Sequence, residues 1–187
     1  MRRISTAGVL FAALAVLIAG SAQAAPATEI RGSYVNNVGC VPRDVKPHAD
    51  PTKFDVTCYV GSTYTGGLVG HTAGHMRVTV DTVTGNMSGT ADEWFYGRYP
   101  GDDGSYGGIH FTASFSIDGK TNSLRGTGKI VGGTCSFTGS KGTLSFDGFD
   151  VYGGFIWQLT RPNPKPVSSP TCNPIDPVPV PVPVPVP

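Results

Sequence analysis

The densest meeting of charge and aromatic rings in the chain is Asp92-Glu93-Trp94-Phe95-Tyr96-Gly97-Arg98-Tyr99. In an extended segment side chains alternate between two faces, so Glu93, Phe95 and Gly97 share one side and Trp94, Tyr96 and Arg98 the other. An ionisable group turned into an apolar interior is costly unless it meets a partner or a ligand, so either face would be informative if buried. Left outside, Trp94 and Tyr96 could pack against another subunit or stack on sugar rings. Glu93 and His110 are the groups best suited to proton transfer, yet no nucleophile stands beside either, and no catalytic residue is assigned. His71 and His75 would lie on one side of a strand some 13 Å apart at ~3.3 Å per residue. That is too far to share a metal ion unless Gly74 turns the chain, and no Cys or Asp completes a ligand set. Neither a nucleophile elbow, a phosphate loop, a zinc-protease helix nor a calcium loop occurs, so no cofactor is expected.

Those residues need strands to hold them. From Thr28 to Thr160 the text consists of short β-type runs parted by Gly, Asn and Asp turns, with no sustained 3.6-residue apolar period. Ile109, Phe111, Ala113, Phe115 and Ile117 alternate with His110, Thr112, Ser114 and Ser116; Phe54 to Val60 and Met76 to Asp81 alternate likewise. One face is made for burial and the other for water. Eight strands are predicted, near 28–38, 54–60, 63–71, 74–82, 87–97, 107–118, 122–131 and 143–160, the last open to division. Val41 to Pro51 and Pro100 to Ser105 read as loops that could cover a barrel mouth. Eight antiparallel strands in a domain of residues 25–161 can close into a barrel, which removes exposed edges and leaves room for at most one small ligand.

The ends differ in character. Arg2 and Arg3, the apolar run Val9 to Ile18 and the small residues Ala22-Gln23-Ala24 read as a signal peptide over 1–24, too short to anchor in a bilayer. Its removal leaves 163 of the 187 residues, with 12 bases against 13 acids. A near-neutral surface argues against nucleic acid or anionic lipid as a partner. Residues 162–187 end in a strict Pro-Val alternation from Pro177 to Pro187, which cannot pair in a sheet and is expected as a disordered, extended tail, a spacer that could reach a cell wall. In an exported chain Cys40, Cys58, Cys135 and Cys172 are expected as two disulfides; sequence does not choose among three connectivities, though the short loop favours Cys40 with Cys58 and leaves Cys135 for Cys172.

Two segments resemble the allene oxide cyclase-like family of calycin-type β-barrels, which is similar in fold to the dirigent proteins. The first is Tyr64-Thr65-Gly66-Gly67-Leu68 followed by Val69-Gly70-His71-Thr72-Ala73-Gly74; the second is Ile130-Val131-Gly132-Gly133-Thr134 with Phe137, Gly139 and Gly142. The resemblance covers about Tyr64 to Leu159 and implies an eight-stranded barrel with a largely apolar cavity, Phe137 plugging one end, and a dimeric or trimeric habit. It does not carry the cyclase activity across. The stretch Tyr34-Val35-Asn36-Asn37 lacks the cyclases' acid, Met76 or His75 stands at their cysteine, and Cys135 replaces a turn glycine.

The expected protein is a secreted all-β barrel that holds a small apolar molecule without chemistry of its own. Tyr64, Glu93, Tyr96, Arg98, His110 and Trp157 are the candidate cavity residues, the last most simply core together with Val151, Phe155 and Leu159. The alternatives are a cyclase or isomerase that folds a hydrophobic substrate within the barrel, for which Glu93 or His110 would be the buried ionisable group, and a cell-surface structural protein using the Pro-Val tail as its spacer.

Overall fold

The computed structural model describes residues 26–100 and 106–160. The expected signal peptide, the Pro-rich tail and all but the first residue of the loop at Pro100 to Ser105 lie outside the described residues. The eight strands are β1 (Thr28–Pro47), β2 (Lys53–Gly66), β3 (Val69–Asp81), β4 (Met87–Arg98), β5 (Tyr106–Ile117), β6 (Ser123–Gly133), β7 (Lys141–Phe149) and β8 (Tyr152–Thr160). Each pairs antiparallel with the next, and β1 returns to pair with β8 from Thr28 opposite Leu159 to Val35 opposite Tyr152, so the sheet closes on itself as a barrel. A short 3₁₀ turn, Cys135–Phe137, precedes β7.

The number of strands matches the expectation, but their borders do not. The expected breaks at Gly61-Ser62 and after His71 are absent: β2 runs through the first, β3 through the second, and the turn falls at Gly67-Leu68 instead. The expected run 143–160 divides at Asp150-Val151 into parts of β7 and β8. The expected loop from Val41 is strand as far as Pro47, because β1 slips register against β2 three times, between Asn36 and Val38, Val38 and Val41, and Pro42 and Asp44. Such irregularities let a strand carry proline, which has no ladder donor.

The alternation read from sequence sets the inside and outside of the barrel. Ile109 to Ile117 at odd positions face in, as do Val56, Cys58 and Val60. One end of the barrel is filled by Leu68, Phe95, Ile109, Phe137, Trp157 and Leu159, all essentially inaccessible. Phe95 fits because β-carbons are missing beneath it: one added at Gly97 would stand 2.6 Å from the Phe95 ring, and one at Gly70 2.9 Å. Trp157 meets Tyr64, Phe95 and Phe111 edge-on at 80°, 66° and 72°, and its Nε1–H has no oxygen or nitrogen acceptor. Ring faces are the weak acceptors that surround it. Val151, expected on the same face as Trp157, lies in the β7–β8 turn and is 58% exposed.

The other end carries the β1–β2, β3–β4, β5–β6 and β7–β8 turns, and three of them repeat one device. The carboxylates of Asp50, Asp81 and Asp118 accept backbone N–H groups of the following turn: Thr52 for the first, Val83 and Thr84 for the second, Lys120 and Thr121 for the third. Aspartate is favoured in turns for this ability to bond its own backbone.

Candidate functional site

The same inward alternation that fills the closed end leaves space towards the hairpin end. A cavity of about 180 Å³ opens there. Its apolar wall is built by Val56, Val78, Val80, Met87, Phe115, Ile117, Leu124 and Phe146. Its polar side is narrower and comes from four residues of the first two strands and one of the fourth: Tyr34, Asn36, Ser62, Tyr64 and Glu93. Ser62 Oγ donates to Asn36 Oδ1 at 2.6 Å, and the Asn36 amide donates to the Asp150 carbonyl at the mouth. Beside that mouth Val35, Phe149, Val151 and Tyr152 form an exposed apolar rim, with the Phe149 and Tyr152 rings 5.2 Å apart.

Glu93 joins the cavity lining because β4 turns it inward with Ala91 and Phe95. Opposite it on β3 is Gly74, where an added β-carbon would stand 2.7 Å from Glu93 Cγ and 2.2 Å from the Asp92 carbonyl oxygen. The missing side chain is the space the glutamate occupies. Thr72, the next inward residue of β3, hydrogen-bonds the Glu93 carboxyl and accepts the Ser62 N–H at 3.1 Å. The β2–β3 ladder pairs Val60 with Gly74 and Thr63 with His71 but has no pair at Gly61 and Ser62 between them. Thr72 thus supplies from its side chain an acceptor for the Ser62 N–H there.

Burial pushes the Glu93 carboxyl above the ordinary glutamate range; the Thr72 hydrogen bond opposes this and the charge of Asp92 adds to it. Tyr64 is raised far above a free tyrosine, first by burial and then by the charge of Glu93 and by Tyr34. Tyr34 is pushed up to about 12 by burial and by Asp150 and Asp147, and its hydroxyl donates to the Phe149 carbonyl at 3.3 Å. All three groups are therefore held in their uncharged forms more firmly than in water.

The sequence-derived candidates separate. Tyr64 and Glu93 line the cavity. Tyr96, Arg98 and His110 are on the outer wall, and Trp157 is sealed in the closed end without reaching the cavity. On the outside His110 stacks on Trp94 at 4.8 Å and 7°, and its Nε2 is 2.6 Å from Asp92 Oδ1. Tyr96 lies between Trp94 and His71, at 6.1 and 5.8 Å. The His110 ring covers a face of Trp94 that a sugar would need. His71 and His75 both point outward from an unbroken β3, where His75 packs against Tyr59, so Gly74 makes no turn between them. Among the described residues no three His, Cys, Asp or Glu side chains cluster as metal ligands.

Asn36, Ser62, Thr72 and Gly74 escaped the sequence reading. The signal was present for two of them: carrying the alternation of Met76, Val78 and Val80 back along β3 places Gly74 and Thr72 inside. Cys40 and Cys58 form a disulfide at the cavity wall, as the short loop favoured. Cys135 is also disulfide-bonded, and its expected partner Cys172 lies outside the described residues.

No protein-family model and no curated protein sequence matches the chain. Among solved structures it is similar to a DUF3224-family protein of unknown function from Shewanella oneidensis MR-1. That match has a TM-score of 0.58 and 17% identity, and covers 73% of this chain and 98% of the other. The likeness is one of fold. No helix of the described residues is long and apolar enough to cross a membrane.

Proposed function

We propose that this chain is an exported carrier of one small apolar molecule bearing a single polar group, held in the cavity at the hairpin end of the barrel. The observation that carries the reading is the two-sided lining, an apolar wall facing a narrow polar strip of Tyr64, Glu93, Ser62 and Asn36. Pockets of this kind hold a ligand by apolar contact and orient it by a few polar groups. The volume sets the scale, since a dry cavity of ~150 Å³ accepts benzene, so the ligand is a compact ring compound or a short chain. The exposed rim of Val35, Phe149, Val151 and Tyr152 offers it an apolar approach. The Cys40–Cys58 disulfide supports an oxidising destination. The apolar cavity is also what the resemblance to the allene oxide cyclase-like barrels implies.

Calorimetric titration of the wild-type chain with cyclohex-2-enone and with toluene tests the reading. The expected result is one site, tighter for the ketone, with at least a tenfold loss in Ala91→Leu, which fills the cavity from β4 without removing a polar group. Binding unchanged in that variant, at an unchanged melting temperature, overturns it.

A further inference from the structure

We infer that Glu93 and Tyr64 form a proton-transfer pair, and that the molecule held in the cavity is an enolisable ketone or aldehyde whose double bond they move. The inference rests on the carrier reading and adds an activity to it. Four observations converge on the pair. Glu93 and Tyr64 line the same small cavity. Gly74 leaves vacant the volume that Glu93 fills, with 2.7 Å between a would-be β-carbon and Glu93 Cγ. Thr72 hydrogen-bonds the carboxyl from β3, and its hydroxyl also accepts the Ser62 N–H where the ladder is interrupted at Gly61 and Ser62. The surroundings are apolar, with Phe95, Phe155 and Trp157 around the Tyr64 ring at 5.7, 4.9 and 6.1 Å.

A carboxyl in such a place is costly and does nothing for packing that an apolar residue would not do better. Its chemistry justifies it. A carboxylate whose proton affinity lies nearer neutrality is a better base, and a tyrosine kept uncharged is a hydrogen-bond donor to a developing oxyanion. In the forward step the Glu93 carboxylate removes a proton from the carbon between the carbonyl and a β,γ double bond. The C–H electron pair forms the new C=C bond of a dienolate, whose oxygen takes the negative charge and is hydrogen-bonded by Tyr64. The protonated Glu93 then returns the same proton to the γ carbon as the carbonyl re-forms, giving the α,β-unsaturated isomer. Atoms and electrons balance, with no oxidant or co-reactant. The titratable groups facing Glu93 are Tyr64 from β2 and Tyr34 from β1, with Asp92 beside it on β4 and Asp150 at the mouth.

The test uses the full oxidised chain and cyclohex-3-enone, whose conversion to cyclohex-2-enone is read from conjugated absorption, with deuterium uptake at the γ carbon in D₂O, from turnovers in which the Glu93 carboxyl exchanges its proton with solvent, as a second readout. Wild type should convert the probe above the buffer rate, with a pH profile whose lower limb lies above the ordinary glutamate value. Glu93→Gln should lose about 10³-fold of the rate, a loss far larger than its loss of affinity for cyclohex-2-enone. Tyr64→Phe should lose about 10²-fold. Binding of the ketone with neither conversion nor deuterium uptake overturns this inference alone, as does a Glu93→Gln variant as fast as wild type. A wild-type chain that binds no ketone overturns the carrier reading and this inference with it.

Discussion

The two ends of the barrel are made by the same strands and the same alternation, yet one is solid and the other hollow. At the solid end the rings of Phe95, Phe137 and Trp157 pack among Leu68, Ile109 and Leu159, with Phe137 folding in from the connecting turn as a lid. At the hollow end Val56, Val78, Val80, Met87, Ile117 and Leu124 outnumber the rings of Phe115 and Phe146, and the inward side chains leave a cavity of about 180 Å³ between them. An eight-stranded barrel has an interior of nearly fixed width, so side-chain volume alone decides which half is core. The difference teaches that rigidity and reception are assigned to different stretches of each strand. Phe95 and Ala91 on β4 stand a few residues apart and do opposite work, the first buried in the solid end and the second lining the cavity.

That contrast can be broken by substitution, and the largest effect should come from the solid end. Trp157→Ala is expected to cost about 3–5 kcal/mol, the range for deleting a large buried ring, whereas Met87→Ala at the hollow end should cost less than half of that; urea unfolding of both variants decides it. Equal losses would mean that the hollow end is as tightly packed as the other. Next comes the staple at the cavity wall. Replacing Cys40 and Cys58 together by serine should cost about 3 kcal/mol for a loop of this length in the chain-entropy account. It should also weaken ketone binding, because the bond joins the bulged β1 to β2 beside the cavity. Thermal melting with and without reductant would show it.

The pH response sharpens the contrast further, because the ends of the scale belong to different groups. The pKa of Glu93 is raised in the folded chain, so the folded state holds that proton more tightly than the unfolded one. Its contribution is fully present below the ordinary value of 4.5 and is lost as pH rises through the folded pKa. Glu93→Gln should therefore be relatively more stable than wild type near neutrality, with the gap closing on acidification. Asp50 has the opposite sign: the Thr52 hydroxyl and N–H, then Lys53, hold it down to about 2, so its contribution is present above 3.8 and is lost as pH falls towards 2. Melting curves across pH for wild type, Glu93→Gln and Asp50→Asn would separate the two limbs. The smallest effect is expected outside. The His110–Asp92 pair lies on the wall among solvent, and His110→Ala should change stability by no more than about 1 kcal/mol, as exposed pairs do.

Much of this architecture was legible in the sequence because period-two alternation reports directly on which face is buried. Ile109 to Ile117 declared both a strand and its orientation, and Glu93, in phase with Phe95, was already a candidate for the interior. What the sequence obscured has local causes. Gly61-Ser62 reads as a strand break by composition, but the chain continues because Thr72 supplies the missing acceptor from its side chain. Pro42 and Pro47 argue for a loop until register slips in β1 accommodate them. Tyr96, Arg98 and His110 drew attention for their chemistry, and only the phase of β4 and β5 sends them outside. Trp157, named as a cavity candidate but most simply core beside Phe155 and Leu159, is core; alternation gives its face, while what stands opposite decides between core and pocket.

The closure of β1 on β8 governs how the chain finds its fold. Seven of the eight ladders join neighbours in sequence and can zip as hairpins, but Glu29 and Gln158, which hydrogen-bond across the last one, are separated by 129 residues. Loop-closure entropy makes that contact slow to form, so the meander should assemble first and the seam last. Until it seals, β1 and β8 are bare edges that a second chain can occupy. The expected signature is a concentration-dependent slow phase in refolding, and a barrel that, once sewn, exchanges the amides of this seam among its slowest.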